Sequence, residues 1–274
     1  MSKRQKFIIT TALLALGILL IRYPYLQWRW RVLSFSILSG GLSLWALYDQ
    51  DFSGIEWLTL LILPVMFASG MALVFPLLPN GLDTFLVWPI STDSGLLLSL
   101  GLKITFILLF TVGYYAILLT HNIYNVAAIR TIQLLRAAHS VGFMMILFTV
   151  LALTLVISSV HLSSFLNFLL VFAVSTPLIL SALWSVNLEE RIGKRLVFLI
   201  ACLSLCLAQI AWAISFWPIS ASLFALSLTA TFYALVGMGQ YYLSEKLTAA
   251  AVREFLTVSV VVFILILLTT SWAG

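Results

Sequence analysis

The densest group of residues able to bind a ligand is an arginine-rich segment, Arg22-Tyr-Pro-Tyr-Leu-Gln-Trp-Arg-Trp-Arg31. A guanidinium group presents N–H donors in a fixed pattern that matches the oxygens of a phosphate. The aromatic side chains between Arg22, Arg29 and Arg31 prefer the headgroup level of a membrane. The segment therefore predicts a site for a lipid headgroup or a polyprenyl phosphate. The alternative is an interfacial anchor between two short helices.

Lys103 is the second candidate for binding an anion, because it stands about two turns inside an apolar run of residues. A charge inside a membrane is costly and commonly marks an ion or ligand pathway. Two alternatives stay open: a lysine that extends its ammonium group to the membrane surface, and a helix that begins near Ile104. The predicted ligand-binding set is Arg22, Arg29, Arg31 and Lys103.

The histidines do not predict a metal site. His139 and His161 flank one apolar run and would lie about 33 Å apart along a helix. His121 and His139 can meet on one side of the membrane, where we expect them to be solvated. The two cysteines, Cys202 and Cys206, share a helix face and are interpreted as a helix contact. We predict no catalytic residue, no metal and no cofactor.

One segment resembles a protease motif. Glu189-Glu190-Arg191-Ile192-Gly193-Lys194 resembles the Glu-Glu-x-x-x-Arg motif of the CAAX-type intramembrane proteases, whose size and helix count are also similar. That family holds a metal with histidines on later helices, and the metal activates water. Here Lys194 stands in place of the arginine, and no histidine follows His161. We interpret the segment as a turn in which Glu190 and Lys194 pair.

The composition defines the class of protein that must position these residues. Of the 274 residues, 63% are hydrophobic and 8% are charged, whereas a soluble domain averages about 25% charged residues. This excludes a soluble enzyme, a disordered chain and a nucleic-acid-binding domain. We expect one integral membrane domain over residues 1–274.

Apolar runs long enough to cross a membrane recur along the whole chain. A spanning helix needs about 20 mostly apolar residues, and inside lipid a helix is the structure that pairs its own backbone groups. The prediction is an all-α, polytopic helical membrane bundle of about nine transmembrane helices. The runs are 7–21, 32–48, 57–78, 95–119, 141–160, 165–184, 196–214, 219–243 and 255–272.

The basic residues between the runs predict the orientation of the bundle. Cytoplasmic loops are enriched in lysine and arginine, and alternate loops carry them here. The N-terminus is therefore expected in the cytoplasm and the C-terminus outside, in a cell membrane that is expected to be a bacterial plasma membrane. The loop with Arg22, Arg29 and Arg31 breaks the rule. In the alternative that restores it, run one lies in the membrane plane and run three is re-entrant.

Three further features complete the predicted architecture. Residues 79–94 are expected to rest at the membrane surface through the apolar patch 85–90. Residues 125–140 are expected to form an amphipathic interfacial helix with Asn125 as its N-cap. Run eight carries a stripe of small residues that lets a neighbouring helix approach closely, namely Ala221, Ala225, Thr229 and Gly237.

Three functional hypotheses follow, in order of preference. The first is a small transporter, flippase or lipid-handling protein for an anionic amphiphile. The second is an accessory subunit of a larger membrane complex, held through the small-residue faces. The third is an intramembrane enzyme acting on lipid or polyprenyl phosphate, and the scarcity of polar groups in the runs disfavours it. The expected partners are membrane lipids, anionic ones included, and in the second hypothesis a membrane protein; nucleic acid is not expected.

Overall fold

The computed structural model describes residues 2–21, 28–48, 56–78, 92–129, 133–188 and 192–270. Within these ranges, residues 28–29, 56–58, 92–99 and 128–129 are described by their backbone alone.

The described residues form nine helices that are long and apolar enough to cross a membrane, and they include no strand. The prediction of an all-α, multi-pass membrane bundle is confirmed. The helix α3 runs without a break through Pro64 and Gly70, which does not support the re-entrant alternative. The helices are α1 (Lys3–Ile21), α2 (Trp28–Leu47), α3 (Glu56–Val74, extended by a 3-10 turn, Phe75–Leu77), α4 (Thr92–Ile129), α5 (Leu135–Ser159), α6 (Ser164–Asn187), α7 (Lys194–Ile214), α8 (Ala221–Leu243) and α9 (Ala249–Thr269).

The predicted interfacial helix over 125–140 is wrong. The helix α4 continues to Ile129, and α5 begins at Leu135. Asn125 is not an N-cap but a buried residue inside α4. In the sequence the apolar run ends at 119, because the next turns of α4 carry polar side chains. Neighbouring helices cover these side chains in the structure. The predicted apolar patch 85–90 lies outside the described residues.

Consecutive helices are antiparallel, which sorts the charges between the two ends of the bundle. Ser36, in the first half of α2, shares a 2.7 Å hydrogen bond with Ser69, in the second half of α3. Tyr124, near the end of α4, donates to the Ala138 carbonyl in the first turn of α5 at 3.1 Å. We call the end where α1, α3, α5, α7 and α9 begin the basic end. Its described cations are Lys3, Arg4, Lys6, Arg136, Lys194, Arg195, Lys246 and Arg253.

The interior of the bundle is built around α3, which packs against α2, α4, α5 and α6. Phe67 on α3 stacks on Phe110 of α4, with ring centroids 5.8 Å apart. One turn further along α4, Tyr114 is fully buried and shares a 2.6 Å hydrogen bond with Ser43 of α2. Lipid tails are as apolar as these side chains, so close packing and paired polar groups hold the helices together.

The small-residue stripe of α8 supplies part of its packing surface. Ala225 and Gly237 are buried, whereas Ala221 and Thr229 are half-buried. The Thr229 hydroxyl donates to the Ala225 carbonyl at 2.7 Å, within α8 itself. Gly237 lies directly under the Phe255 ring of α9, so that α9 approaches α8 at the glycine.

The contact at Gly237 predicts a loss of stability for Gly237→Ala. A Cβ atom there would stand 2.8 Å from Cζ of Phe255, and overpacking of this kind costs about 1–3 kcal/mol. We expect a lower melting temperature in detergent. The matched control is Gly41→Ala, also in a helix, where a Cβ atom meets nothing within 4 Å. Equal melting temperatures for the two variants would contradict the close contact.

The charge distribution predicts that the basic end faces the cytoplasm. We propose single cysteines in a Cys202→Ala/Cys206→Ala background, one at Ser163 between α5 and α6 and one at Leu247 between α8 and α9. A membrane-impermeant maleimide should label Ser163→Cys in intact cells, and Leu247→Cys only after lysis. The reverse pattern would place the basic end outside.

Candidate functional site

Arg31 lies in the first turn of α2 and reaches back to the end of α1. Its Nη1 atom donates to the carbonyl of Ile21, the last residue of α1. The last carbonyls of a helix have no partner within the helix, so the guanidinium group closes the C-terminus of α1. Arg29 is described by its backbone alone, and Arg22 lies outside the described residues.

Beside Arg31 a groove of about 270 Å³ runs between α1 and α2. At one side of the groove the Phe35 ring of α2 packs against Gly17 of α1, where a Cβ atom would stand 2.8 Å from the ring. Leu20 and Leu38 on its walls are 65% and 49% exposed, so the groove opens outward. The groove thus combines apolar walls with one cation. Its lining residues are Gly17, Leu20, Ile21, Arg31, Ser34, Phe35 and Leu38.

Lys103 lies at the same end of the bundle as Arg31, near the start of α4. Its side chain is half-buried. Three residues further along α4, the Phe106 ring packs on Phe75 at 5.6 Å, so this part of α4 is held against the end of α3. The structure therefore brings these two members of the predicted ligand-binding set to one end of the bundle.

Two histidines at the basic end, the buried His121 and the half-buried His139, make hydrogen bonds to backbone carbonyls that have no partner within their own helix. Pro64 has no N–H, and the carbonyl four residues before it, that of Leu60, therefore loses its partner in α3. The imidazole of His121, 1% exposed, makes a hydrogen bond to the backbone of Leu60. Its Nδ1 atom has no partner, so Nε2–H is the donor. His121 thereby pairs a carbonyl that lipid cannot satisfy.

His139 does the same for α6. Ser185 lies in the last turn of α6, where carbonyls have no partner within the helix, and His139 makes a hydrogen bond to its backbone. Tyr124 lies between the two histidines, with its ring centroid 6.0 Å from that of His121 and 5.5 Å from that of His139. We call His121, Tyr124 and His139 the clasp, since they tie α3, α4, α5 and α6 together.

The expectation of solvated histidines is wrong for His121, which is buried, whereas His139 is half-buried and lines a cavity. Their partners lie on α3 and α6, distant in sequence, which local patterns do not reveal. One signal was available: a proline inside an apolar run creates an open carbonyl, and a nearby run must supply a donor. His121 was a natural candidate for the donor, because the runs that form α3 and α4 follow each other in the chain.

Two cavities border the end of α6 at the basic end. The larger, of about 400 Å³, lies where α5, α6 and α8 meet, and the smaller, of about 220 Å³, lies between α6, α7 and α8. Asn187 lines both. The larger is lined by His139, Ser185, Val186, Asn187, Gln240, Tyr241, Ser244 and Lys246. The smaller is lined by Leu183, Trp184, Asn187, Gly193, Arg195, Leu196, Leu243 and Glu245.

Among the described residues, no three of the types His, Cys, Asp and Glu come close enough to hold a metal ion. Cys202 is half-buried and Cys206 is exposed, and both are free thiols. The protease-like segment at Glu189, Glu190 and Arg191 lies outside the described residues.

The fold is that of a polytopic helical membrane protein, with nine candidate spans among the residues that the structure describes. Over residues 6–269 the chain matches the model of a family described as a protein of unknown function, DUF5656, and it belongs to that family. No curated protein matches the chain, and no solved structure does.

The clasp predicts an energetic coupling between Pro64 and His121. Replacing His121 by Phe leaves the Leu60 carbonyl buried without a donor, which costs about 1–3 kcal/mol. In a Pro64→Ala background the N–H of residue 64 can pair with that carbonyl, so the same His121→Phe change should cost about 1 kcal/mol less. Unfolding free energies in mixed detergent micelles, measured for all four members of the cycle, test this. Equal costs in both backgrounds would contradict the assigned role.

Proposed function

We propose that this membrane protein binds an anionic amphiphile, as a lipid-handling protein or small transporter. The observation that carries the proposal is the groove between α1 and α2, where the cation of Arg31 borders apolar walls that open outward. An amphiphile needs this combination, because its head must meet a counter-charge while its chain stays in an apolar environment.

The chemistry of Arg31 supports a phosphate or carboxylate head. A guanidinium group carries five N–H donors and can hold a helix-end carbonyl and a ligand oxygen at the same time. Its bond to Ile21 fixes the side chain before a ligand arrives, and fixing a binding group in advance lowers the ordering cost of binding. Lys103 lies at the same end of the bundle, outside the lining of the groove.

The test compares Arg31→Gln with Arg31→Lys. The glutamine variant removes the charge, whereas the lysine variant keeps it along with N–H donors for the Ile21 carbonyl. After extraction from vesicles of phosphatidylglycerol and phosphatidylcholine, native mass spectrometry reports the lipids retained. We expect Arg31→Gln to retain phosphatidylglycerol about tenfold less, since a hydrogen bond to a charged group contributes about 1.5–3 kcal/mol. Arg31→Lys should retain more than Arg31→Gln.

The control is Lys6→Gln, which removes one positive charge at the basic end, where Lys6 lies over the Trp45 ring. It should leave phosphatidylglycerol retention unchanged. If Arg31→Gln lowers the melting temperature but not lipid retention, Arg31 acts only as the cap of α1 and the proposal fails. Lys103→Met provides an independent check at the same end, with a smaller loss expected.

A further inference from the structure

We infer that the 400 Å³ cavity at the basic end binds a phosphate group, either free or as the headgroup of a lipid. The cavity lies at the opposite end of the bundle from Arg31, so this site is separate from the groove and does not depend on it. Of the described residues that line the cavity, Lys246 is a cation and none is acidic. Pockets of this size with a few convergent polar groups are the usual form of a small-molecule site.

The end of α8 places Lys246 beside the cavity. The chain leaves α8 through a Schellman motif, in which Lys246 N–H donates to the Tyr241 carbonyl at 2.9 Å and Glu245 N–H to the Tyr242 carbonyl at 3.2 Å. These bonds satisfy two open carbonyls of the helix end. They also turn the backbone back over the last turn of α8, so that Lys246 joins residues of that turn, Gln240, Tyr241 and Ser244, in one lining.

Both helix ends that border the cavities use a backbone conformation that their residues disfavour. Glu245 follows α8 with φ 56° and Leu188 follows α6 with φ 50°. Glycine usually occupies such positions, and a residue with a side chain costs about 1–2 kcal/mol there. Non-glycine residues in this conformation cluster at ligand sites. Here the two strained turns end α6 and α8, and both lie at the basic end beside the cavities.

One further donor of the cavity, Gln240, is held in position by a contact with a neighbouring helix. Gln240 donates from Nε2 to the Ala182 carbonyl at 2.9 Å, which fixes its amide group against α6. An amide nitrogen carries two N–H donors, so one can face the backbone and one a ligand. Asn187 lines both cavities and carries a second amide group. An ammonium group with two amide groups favours an oxyanion over a cation as the ligand.

The smaller cavity shares Asn187 with the larger one and is lined by one cation, Arg195, and one carboxylate, Glu245. The Arg195 guanidinium lies over the Tyr242 ring, 4.8 Å from its centroid, and lines the cavity that shares Asn187. Cations placed over an aromatic face are held there by the ring. A phosphate in the larger cavity would therefore meet Lys246, in the turn after α8, while Arg195 lies in the neighbouring cavity with Glu245.

The experiment measures two probes on the full-length protein. Radiolabelled inorganic phosphate is equilibrated with protein in phosphatidylcholine nanodiscs, and phosphatidylglycerol retention is measured by native mass spectrometry. The test variant is Lys246→Gln. The matched control is Arg253→Gln, which removes a positive charge from the start of α9, where its Nε donates to the Ala249 carbonyl at 3.3 Å and the side chain is exposed outside both cavities.

We expect Lys246→Gln to weaken binding of one probe about tenfold and Arg253→Gln to leave it within about twofold. Loss of phosphate binding assigns the site to a free phosphate, and loss of phosphatidylglycerol retention assigns it to a lipid headgroup. The inference is overturned if neither probe binds, if Lys246→Gln binds like the wild type, or if Arg253→Gln loses as much. Arg31 is intact in both variants, so a negative result here does not contradict the proposed function. A negative result with Arg31→Gln does not contradict the phosphate site at Lys246.

Discussion

The constraint on which the structure depends is that lipid offers no hydrogen bonds to a peptide carbonyl. Proline inside a transmembrane helix creates an open carbonyl, and the chain must supply a donor from elsewhere. At Pro64 the donor is His121 of α4, bonded to the backbone of Leu60. The position of α4 against α3 at the basic end follows from this bond, and Tyr124 and His139 extend the same connection to α5 and α6. A proline inside α3 thus accounts for the position of polar side chains at the basic end.

Helix ends pose the same problem in a milder form, and the chain solves it with charged residues. Arg31 closes α1 through the Ile21 carbonyl, and the turn at Glu245 and Lys246 closes α8. Each solution leaves a cation at the rim of a cavity or groove. The two candidate binding surfaces therefore both lie where a helix ends. At the groove, the hydrogen bond to Ile21 holds the Arg31 side chain in place. At α8, the backbone turn places Lys246 beside the cavity, with its side chain exposed.

The sequence predicted the class, the number of helices and most of their boundaries, because these depend on local apolar content. The prediction failed at the end of α4. His121 and Asn125 are polar residues typical of a membrane surface, but here they are buried by α3 and its neighbours. Burial of a polar residue depends on a partner far along the chain, and one sequence does not identify that partner. The cavity at Lys246 was missed for the same reason, since its lining comes from α5, α6 and α8. Arg31 and Lys103 were candidates because each charge stands out locally, and their part in binding stays a prediction.

The length of α4 bears on the membrane that this protein fits. Its candidate membrane span, Leu100–Ala127, includes the buried polar side chains of its last turns and has 28 residues. It would measure about 42 Å along the helix axis, whereas the hydrocarbon core of a bilayer is about 30 Å thick. A helix with this mismatch tilts, or the lipids around it stretch. Since the clasp fixes the end of α4 to its neighbours, the tilt is shared with α3 and α5, and thicker bilayers should accommodate the protein with less distortion than thin ones.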